Sequence, residues 1–399
     1  MNCLFKAYRM TFLFPLFLIL YEFCTNMSND MYLSALPRIS EDFSTSANLV
    51  QLTITAWLAG DTSVQLIVGP LADRYGRRLI LFGGGLLFVL STLGCALAPS
   101  IGFLLVFRFI QGIGVCTMMI AGYASIHDLY DDKRAIHILV WMGSAAVIAP
   151  AIGPVLGSVI LTFTGWRTIF YFLSALAILS LLFLWFVMPE SAASDTKHPL
   201  NVKALIHSYT KIITNSSFMT SAASFGLLYG GIMGWITASP FLLIKELHLT
   251  PLQFGWLQVP VFGAYIVGAQ LVKPLMERIG KDRLIVFGLS IASLSGVCLL
   301  LLPFLYPEKT ISFVLPMVGY ALGFGFAAAP LNRTTLTETQ EKRGAAIAVF
   351  YLMMIGSGTI ISLILSVFDE NVFSISLVIA ASVFLSFLLN TIRQRQDQI

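Results

Sequence analysis

The sequence contains few charged residues. Of its 399 residues, only 11% are Asp, Glu, Lys or Arg, whereas 57% are hydrophobic and the mean hydropathy is +0.85. A soluble domain carries about 25% charged residues. This composition therefore excludes an ordinary soluble protein and predicts a chain whose main solvent is lipid.

Signals of several common function classes are missing as well. The five cysteines show neither paired nor metal-ligand spacing. No G-x-x-x-x-G-K-[ST] loop is found in the sequence, which argues against an ATP-driven pump. No basic run stands apart from the apolar segments, so we expect no nucleic-acid partner. We predict neither a metal nor a cofactor.

Long apolar runs dominate the rest of the sequence. A membrane-spanning helix needs about 20 mostly apolar residues. Twelve segments meet this length and predict an all-α membrane protein with 12 transmembrane helices. They are 10–36, 48–71, 79–98, 101–125, 135–163, 167–188, 217–243, 252–274, 283–303, 311–331, 344–367 and 371–391.

Basic residues are distributed unequally between the two sides of the predicted membrane. Only Arg38, Arg167, Lys245 and Lys309 fall in loops on one side, and Arg108 lies inside a segment. The remaining Lys and Arg residues, out of 24, fall on the other side. Cytoplasmic loops carry such an excess, so both termini are predicted to be cytoplasmic.

The sequence repeats itself. GPLADRYGRRLI follows the second segment and KPLMERIGKDRLI follows the eighth, and both contain Pro-Leu-x-acid-Arg-x-Gly-basic. Nearly the same spacing separates Pro37 from Pro240 as Pro70 from Pro274. Duplicated units of this kind are typical of secondary transporters. The predicted units are a cytoplasmic N-terminus 1–9, a six-helix bundle 10–188, a cytoplasmic linker 189–216, a second six-helix bundle 217–391 and a cytoplasmic C-terminus 392–399.

Polar residues interrupt the first apolar segment in the stretch YEFCTNMSND. At about 100° per residue, Glu22, Asn26, Asn29 and Asp30 fall on one stripe roughly 100° wide. Acids inside a membrane face the protein interior and mark proton relays or substrate pathways. Burial favours the protonated form of a carboxylic acid. Glu22 and Asp30 are therefore candidates for proton coupling, with a purely structural role as the alternative.

Two further stretches place unusual residues inside apolar runs. Arg108, in RFIQG, should face the interior and find a partner there, unless it snorkels to the nearby surface. In APAIGPVLG, prolines 150 and 154 interrupt helical hydrogen bonds, and glycines 153 and 157 allow close packing. A merely kinked helix is the alternative for this second stretch.

Taken together, YEF…ND, GPLADRYGRR, RFIQG and APAIGP resemble the MdfA-type multidrug/proton antiporters of the major facilitator superfamily. NDMYLSALP is similar to the Bcr/CflA-type drug exporters, which are near relatives. The resemblance runs through the first half and is weaker in the second. Ala149 stands where the antiporter motif of the family has a glycine.

The resemblance implies roles for these residues. Glu22, Asp30 and Arg108 would couple protons, and the stripe residues Asn26 and Asn29 would join the two acids in binding substrate. The gating loop would consist of Gly69, Asp73, Arg74, Gly76, Arg77 and Arg78. The antiporter motif would consist of Pro150, Gly153, Pro154 and Gly157.

The seventh segment contains no acid, which leaves proton chemistry to the first half. It offers Tyr229, Met233 and Trp235 as possible substrate contacts, with ordinary packing as the alternative. Arg333 in the tenth segment is either a site residue or a basic anchor. His127 and Asp132 match the His-x4-Asp spacing of membrane acyltransferases, which we interpret as chance because no phosphate-binding motif accompanies them.

The resemblance implies a transporter of the bacterial inner membrane, acting as a monomer. It would expel lipophilic cationic or neutral drugs in exchange for protons by alternating access, driven by the proton gradient and without a cofactor. Two alternatives on the same scaffold stay open. One is a dedicated exporter of a siderophore or another metabolite, and the other is a proton symporter that imports a small molecule.

Overall fold

The computed structural model describes residues 12–191, 202–367 and 371–396. The first half contains six long helices: α1 (Phe14–Asp30), α2 (Ala47–Tyr75), α3 (Arg77–Leu97), α4 (Ile101–Thr117), α5 (Asp132–Phe163) and α6 (Arg167–Val187). The second half contains α7 (Ser216–Pro240), α8 (Pro251–Ile279), α9 (Lys281–Leu305), α10 (Ile311–Thr337), α11 (Arg343–Val367) and α12 (Val372–Gln396). The predicted segment 1–9 lies outside the described residues, as do parts of 189–216 and 392–399.

Three of these helices continue beyond their ends in altered geometry. A 3₁₀ turn (Leu33–Ala35) and a short helix (Leu36–Asp42) prolong α1. A π-helical stretch (Met118–Gly122) and the helix Tyr123–Leu129 prolong α4, and another π-helical stretch (Phe241–Glu246) prolongs α7. Such π-helical stretches often mark functional sites.

Ten helical stretches in the described part of the chain are long and apolar enough to cross a membrane. The long helices outside that group are α1, which has 17 residues, and α2, which carries polar side chains such as Asp61 and Gln65. Large apolar side chains, including Leu86, Leu90 and Phe186, are exposed. Lipid suits such a surface, and the prediction of an all-α membrane protein is confirmed.

The two halves are built in the same way. In the first half, α1 packs on α5 and α6, and α2 and α3 both pack on α4. In the second half, α7 packs on α11 and α12, and α8 and α9 both pack on α10. The halves meet where α2 contacts α11 and where α5 contacts α8. This equivalence confirms the predicted pair of six-helix bundles.

The repeated loop has a structural reason for its glycine. Gly76 lies between α2 and α3 with φ 103°, and Gly280 lies at the equivalent place between α8 and α9 with φ 83°. Residues with side chains rarely adopt this left-handed region, whereas glycine does so at little cost. The two loops and the linker lie at the same end of the molecule, which we call the linker end.

A helix of the linker (Val202–Ile213) connects the two halves at the linker end. The Tyr209 hydroxyl donates a hydrogen bond to the carbonyl oxygen of Leu66 on α2, at 2.8 Å. Lys211 forms an ion pair with Glu341, between α10 and α11, at 3.4 Å. The linker is therefore attached to both bundles rather than to one.

Candidate functional site

Close contact between α2 and α4 positions the buried polar residues of the first half. A side chain at Gly60 would collide with the backbone carbonyl of Phe109, and one at Gly112 would collide with that of Trp57. Small residues at such points let two membrane helices approach each other. The contact brings Arg108 of α4 against α1 and α2.

Arg108 is fully buried, and its guanidinium is surrounded by hydrogen-bond acceptors. It donates to the Ser28 carbonyl at 3.0 Å, Gln111 Oε1 at 2.7 Å, Asn29 Oδ1 at 2.9 Å and the Thr53 carbonyl at 3.4 Å. Its charge also lies 4.7 Å from the centre of the Tyr32 ring, within the range of a cation–π interaction. Arg108 therefore points inward as predicted rather than snorkelling to the surface.

The partners of Arg108 on α1 are the Asn29 side chain and the Ser28 carbonyl rather than an acid. No carboxylate in the described part of the chain lies within 4.0 Å of Arg108. Asp30 interacts with it only electrostatically, over a longer distance. The arginine thus holds α1 through neutral groups, which leaves the Asp30 carboxylate without a direct ion pair.

Asp30 is buried at the contact between α1 and α5. A side chain at Gly153 would lie 2.5 Å from the Asp30 Cβ. The glycine of the predicted antiporter motif therefore provides the space in which Asp30 lies.

Glu22 lies two turns before Asp30 on the same helix and is also buried. Tyr123 directly follows the π-helical stretch of α4, and its hydroxyl donates to Glu22 Oε1 at 2.6 Å. The other oxygen, Oε2, has no hydrogen-bond partner among the described residues. Asn26 donates instead to the Glu22 backbone carbonyl at 2.9 Å and is only partly buried. One acceptor of the Glu22 carboxylate is therefore left available.

The predicted antiporter motif connects α5 with both halves of the molecule. The helix continues through Pro150 and Pro154 without interruption. A side chain at Gly157 would collide with the Met31 carbonyl, and one at Gly255 of α8 would lie 2.8 Å from the Pro154 carbonyl. The motif thus allows α5 to approach α1 on one side and α8 on the other.

The Gly157→Ala substitution is expected to impair transport strongly, because its methyl group must displace the backbone of α1 beside Asp30. Gly143→Ala is the matched control in the same helix, since no atom lies within 4 Å of its added methyl group. Substrate efflux from cells, normalised to protein in the membrane, measures both. Equal efflux by the two variants would contradict the proposed importance of this contact.

The site residues predicted from the sequence do not include Asp61 of α2. It is 4% exposed, and Gln65 Nε2 donates to its Oδ1 at 2.8 Å. The signal was present, since Asp61 is an isolated acid in an apolar segment, the same feature that singles out Glu22. The polar stripe of α1 and the family motifs do not include this position.

The three predicted contacts of α7 differ in their surroundings. Tyr229 is half-buried and lies within electrostatic range of Asp61 and Asp30 of the first half. Met233 is buried beside α11. The Trp235 indole donates to Gln258 Oε1 of α8 at 2.9 Å and is thus part of the packing of the second half. Arg333 has an exposed side chain on α10.

The predicted gating loop is attached to the first half. Asp73 pairs with Arg77 at 2.7 Å, and Arg77 also pairs with Asp128 at 3.2 Å. The Arg77 backbone amide donates to Glu190 at 2.9 Å, and Arg78 donates to the Trp185 carbonyl at 2.7 Å. Three other residues belong to this loop. A Cβ added to Gly69 would lie 3.8 Å from the Ile120 side chain. Arg74 lies over the Tyr75 ring, and Gly76 forms the left-handed turn.

Comparisons with known proteins identify the family of this chain. The family model described as Major Facilitator Superfamily matches residues 18–363. The chain belongs to the major facilitator superfamily. It is therefore a transporter rather than an enzyme. Secondary transporters of this superfamily generally need no cofactor.

Relatives of the chain are drug transporters by name. Multidrug resistance protein MdtM of Salmonella typhimurium is 32% identical over 86% of this chain and 83% of the relative. Chloramphenicol resistance protein CraA of Acinetobacter baumannii is 32% identical over 88% and 84%, respectively. Multidrug transporter MdfA of Yersinia pestis is 30% identical over 98% and 96%. The MdfA-type resemblance predicted from the sequence is confirmed.

Solved structures agree on the fold. A crystal structure of a D-xylose–proton symporter superposes with a TM-score of 0.77 at 18% identity, covering 97% of both chains. A bacterial homologue of the human lysosomal transporter Spinster superposes with a TM-score of 0.73 at 14% identity, covering 96% of both chains. Together with its apolar helices and bacterial relatives, this fold makes the chain an integral membrane protein of the inner membrane.

Proposed function

We propose that this transporter exports lipophilic cationic or neutral compounds from the cytoplasm in exchange for protons. The observation that carries the proposal is the pair Glu22 and Asp30, two buried acids on α1 that have no ion-pair partner within 4.0 Å in the described chain. The names of the relatives MdtM, MdfA and CraA support drugs as the substrates.

The physical basis of coupling is competition for these carboxylates. A buried, unpaired carboxylate is costly, so Glu22 and Asp30 are stable when protonated or when a cation lies beside them. A proton entering from one side displaces a bound cation toward the other. Arg108 keeps α1 in place through Asn29 while leaving Asp30 free to exchange. Tyr229 and Met233 of α7 would contact the substrate from the second half.

Alternating access requires the halves to separate and rejoin. The hydrogen bonds between α2 and α11 are made by hydroxyl groups, Thr55 with Ser362 at 2.7 Å and Thr62 with Thr359 at 3.1 Å. Neutral hydrogen bonds contribute only about 1 kcal/mol each, so these contacts can be exchanged for water at small cost. The gating loop would form its cross-half contacts at the linker end in the alternate state.

The proposed orientation places the linker end and both termini in the cytoplasm, because most basic loop residues lie there. The functional unit is proposed to be a monomer, with protons, small-molecule substrates and the lipid bilayer as its partners. The proposed domain boundaries are those of the two bundles, 10–188 and 217–391, joined by the linker 189–216.

Expression in a bacterial host without efflux pumps tests the proposal. We expect raised resistance to several lipophilic cations and to chloramphenicol, and proton release from acidified inverted vesicles when these drugs are added. Resistance to none of them would favour the dedicated metabolite exporter. Proton-driven accumulation of substrate in right-side-out vesicles would show the importing symporter instead.

A further inference from the structure

Asp61 is a third buried acid that the exchange mechanism above does not use. It lies midway along α2, where Gln65 Nε2 donates to it at 2.8 Å and Cys116 of α4 lies nearby. No lysine or arginine of the described chain lies within 4.0 Å. Such a carboxylate needs a proton or a bound cation to compensate its charge.

Unpaired acceptors accompany these acids. Gln65 is 1% exposed, and its amide nitrogen donates a hydrogen bond to Asp61. The amide oxygen of Gln65, Oε1, has no hydrogen-bond partner in the described part of the protein. Glu22 Oε2 is likewise buried without a partner there. Buried acceptors are almost always satisfied. Gln65 Oε1, next to the Asp61 carboxylate, and Glu22 Oε2, itself a carboxylate oxygen, therefore offer two acceptors to a ligand that brings positive charge or hydrogen-bond donors.

Two tyrosines of the second half connect Asp61 with the acids of α1. Tyr229 of α7 lies within electrostatic range of Asp61 and Asp30, and Tyr351 of α11 lies within that range of Glu22 and Asp61. Both side chains are half-buried, so part of each remains accessible. Aromatic rings together with carboxylates form the environment that binds quaternary ammonium groups.

A purely structural role explains Asp61 poorly. Gly60 and Gly112 already make the close contact between α2 and α4, and among the described residues Asp61 neither caps a helix nor forms an ion pair within 4.0 Å. A neutral side chain would satisfy Gln65 without the cost of a buried charge. The acid is therefore expected to act on something that is itself charged.

We propose that Asp61, with Gln65, Tyr229 and Tyr351, forms a second cation-binding subsite and that the transporter accepts organic dications. One positive centre would lie beside Asp61 and the other beside Glu22 or Asp30. This inference rests on the proposed export of organic cations, which it extends from one charge to two.

Decamethonium and decyltrimethylammonium provide the test, because they share a ten-carbon chain and differ in having two or one quaternary ammonium groups. Their affinities for the purified full-length protein are measured by calorimetry at one fixed pH. We expect Asp61→Asn to weaken decamethonium binding by at least about tenfold. Decyltrimethylammonium binding should change by less than about twofold. Asp61→Glu keeps the charge and should retain the preference for decamethonium.

Asp131→Asn is the matched control, since Asp131 is an exposed acid at the start of α5, and it should bind both compounds as the wild type does. Equal affinity of the wild-type protein for the two compounds would overturn the dication subsite without any variant. An Asp61→Asn variant with unchanged decamethonium affinity, or with equal losses for both compounds, would overturn it as well. A wild-type protein that binds neither compound would contradict the export of organic cations itself, and with it this inference.

Discussion

Asp30→Asn is expected to reduce the exchange of substrate for protons to the level measured in vesicles that contain no transporter, while the protein remains folded. Asparagine has the size of aspartate, so the fit against Gly153 is kept. The hydrogen bond between Asn29 and Arg108 also remains. What is lost is a carboxylate that releases a proton when a cation arrives. Loss of a vesicle pH gradient on substrate addition measures the exchange.

The matched control for this prediction is Asp131→Asn. Asp131 is exposed and forms a long ion pair of 3.8 Å with Arg134 at the linker end. Such surface pairs contribute little, so the control should exchange at the wild-type rate. Full exchange by Asp30→Asn would show that Asp30 is a structural acid and that the coupling lies elsewhere.

Arg108→Lys is expected to destabilise the protein strongly and to reduce transport. The guanidinium uses three nitrogens to reach four acceptors and lies against the Tyr32 ring. A lysine ammonium has three donors and no planar face. Each buried acceptor left unpaired costs about 1–3 kcal/mol, so the loss should amount to roughly 3 kcal/mol or more. The apparent melting temperature in detergent measures it.

Arg134→Lys is the control for Arg108, because Arg134 is exposed and pairs with the exposed Asp131. Its melting temperature should equal that of the wild type. If Arg108→Lys melted at the same temperature and transported normally, the hydrogen bonds around Arg108 would not determine the position of α1.

Much of the fold could be predicted from the sequence because the membrane imposes a simple rule. Backbone polar groups must be satisfied within each segment, so long apolar runs become helices. The repeated glycines, Gly76 and Gly280, were visible because both occupy the same position of a motif. The burial of Glu22 and Asp30 followed from the cost of an acid in lipid.

The rest depends on contacts between residues far apart in the chain. The sequence predicted that Arg108 finds a partner but not that the partner is Asn29, because this depends on how α4 packs against α1. The ion pair of Asp128 with Arg77 of the gating loop likewise depends on helix packing, because the two residues lie in different loops of the sequence. Asp61 could have been found by the rule applied to Glu22, but it lies outside the stripe and the motifs.

Competition between protons and cationic substrate at Glu22 and Asp30 is the central claim, and substrate binding as a function of pH tests it most directly. The wild type should bind a lipophilic cation such as tetraphenylphosphonium more weakly as the pH falls, because protonation removes the negative charge that attracts it. Glu22→Gln and Asp30→Asn should each show a flatter dependence. Binding that is independent of pH in all three proteins would contradict the account.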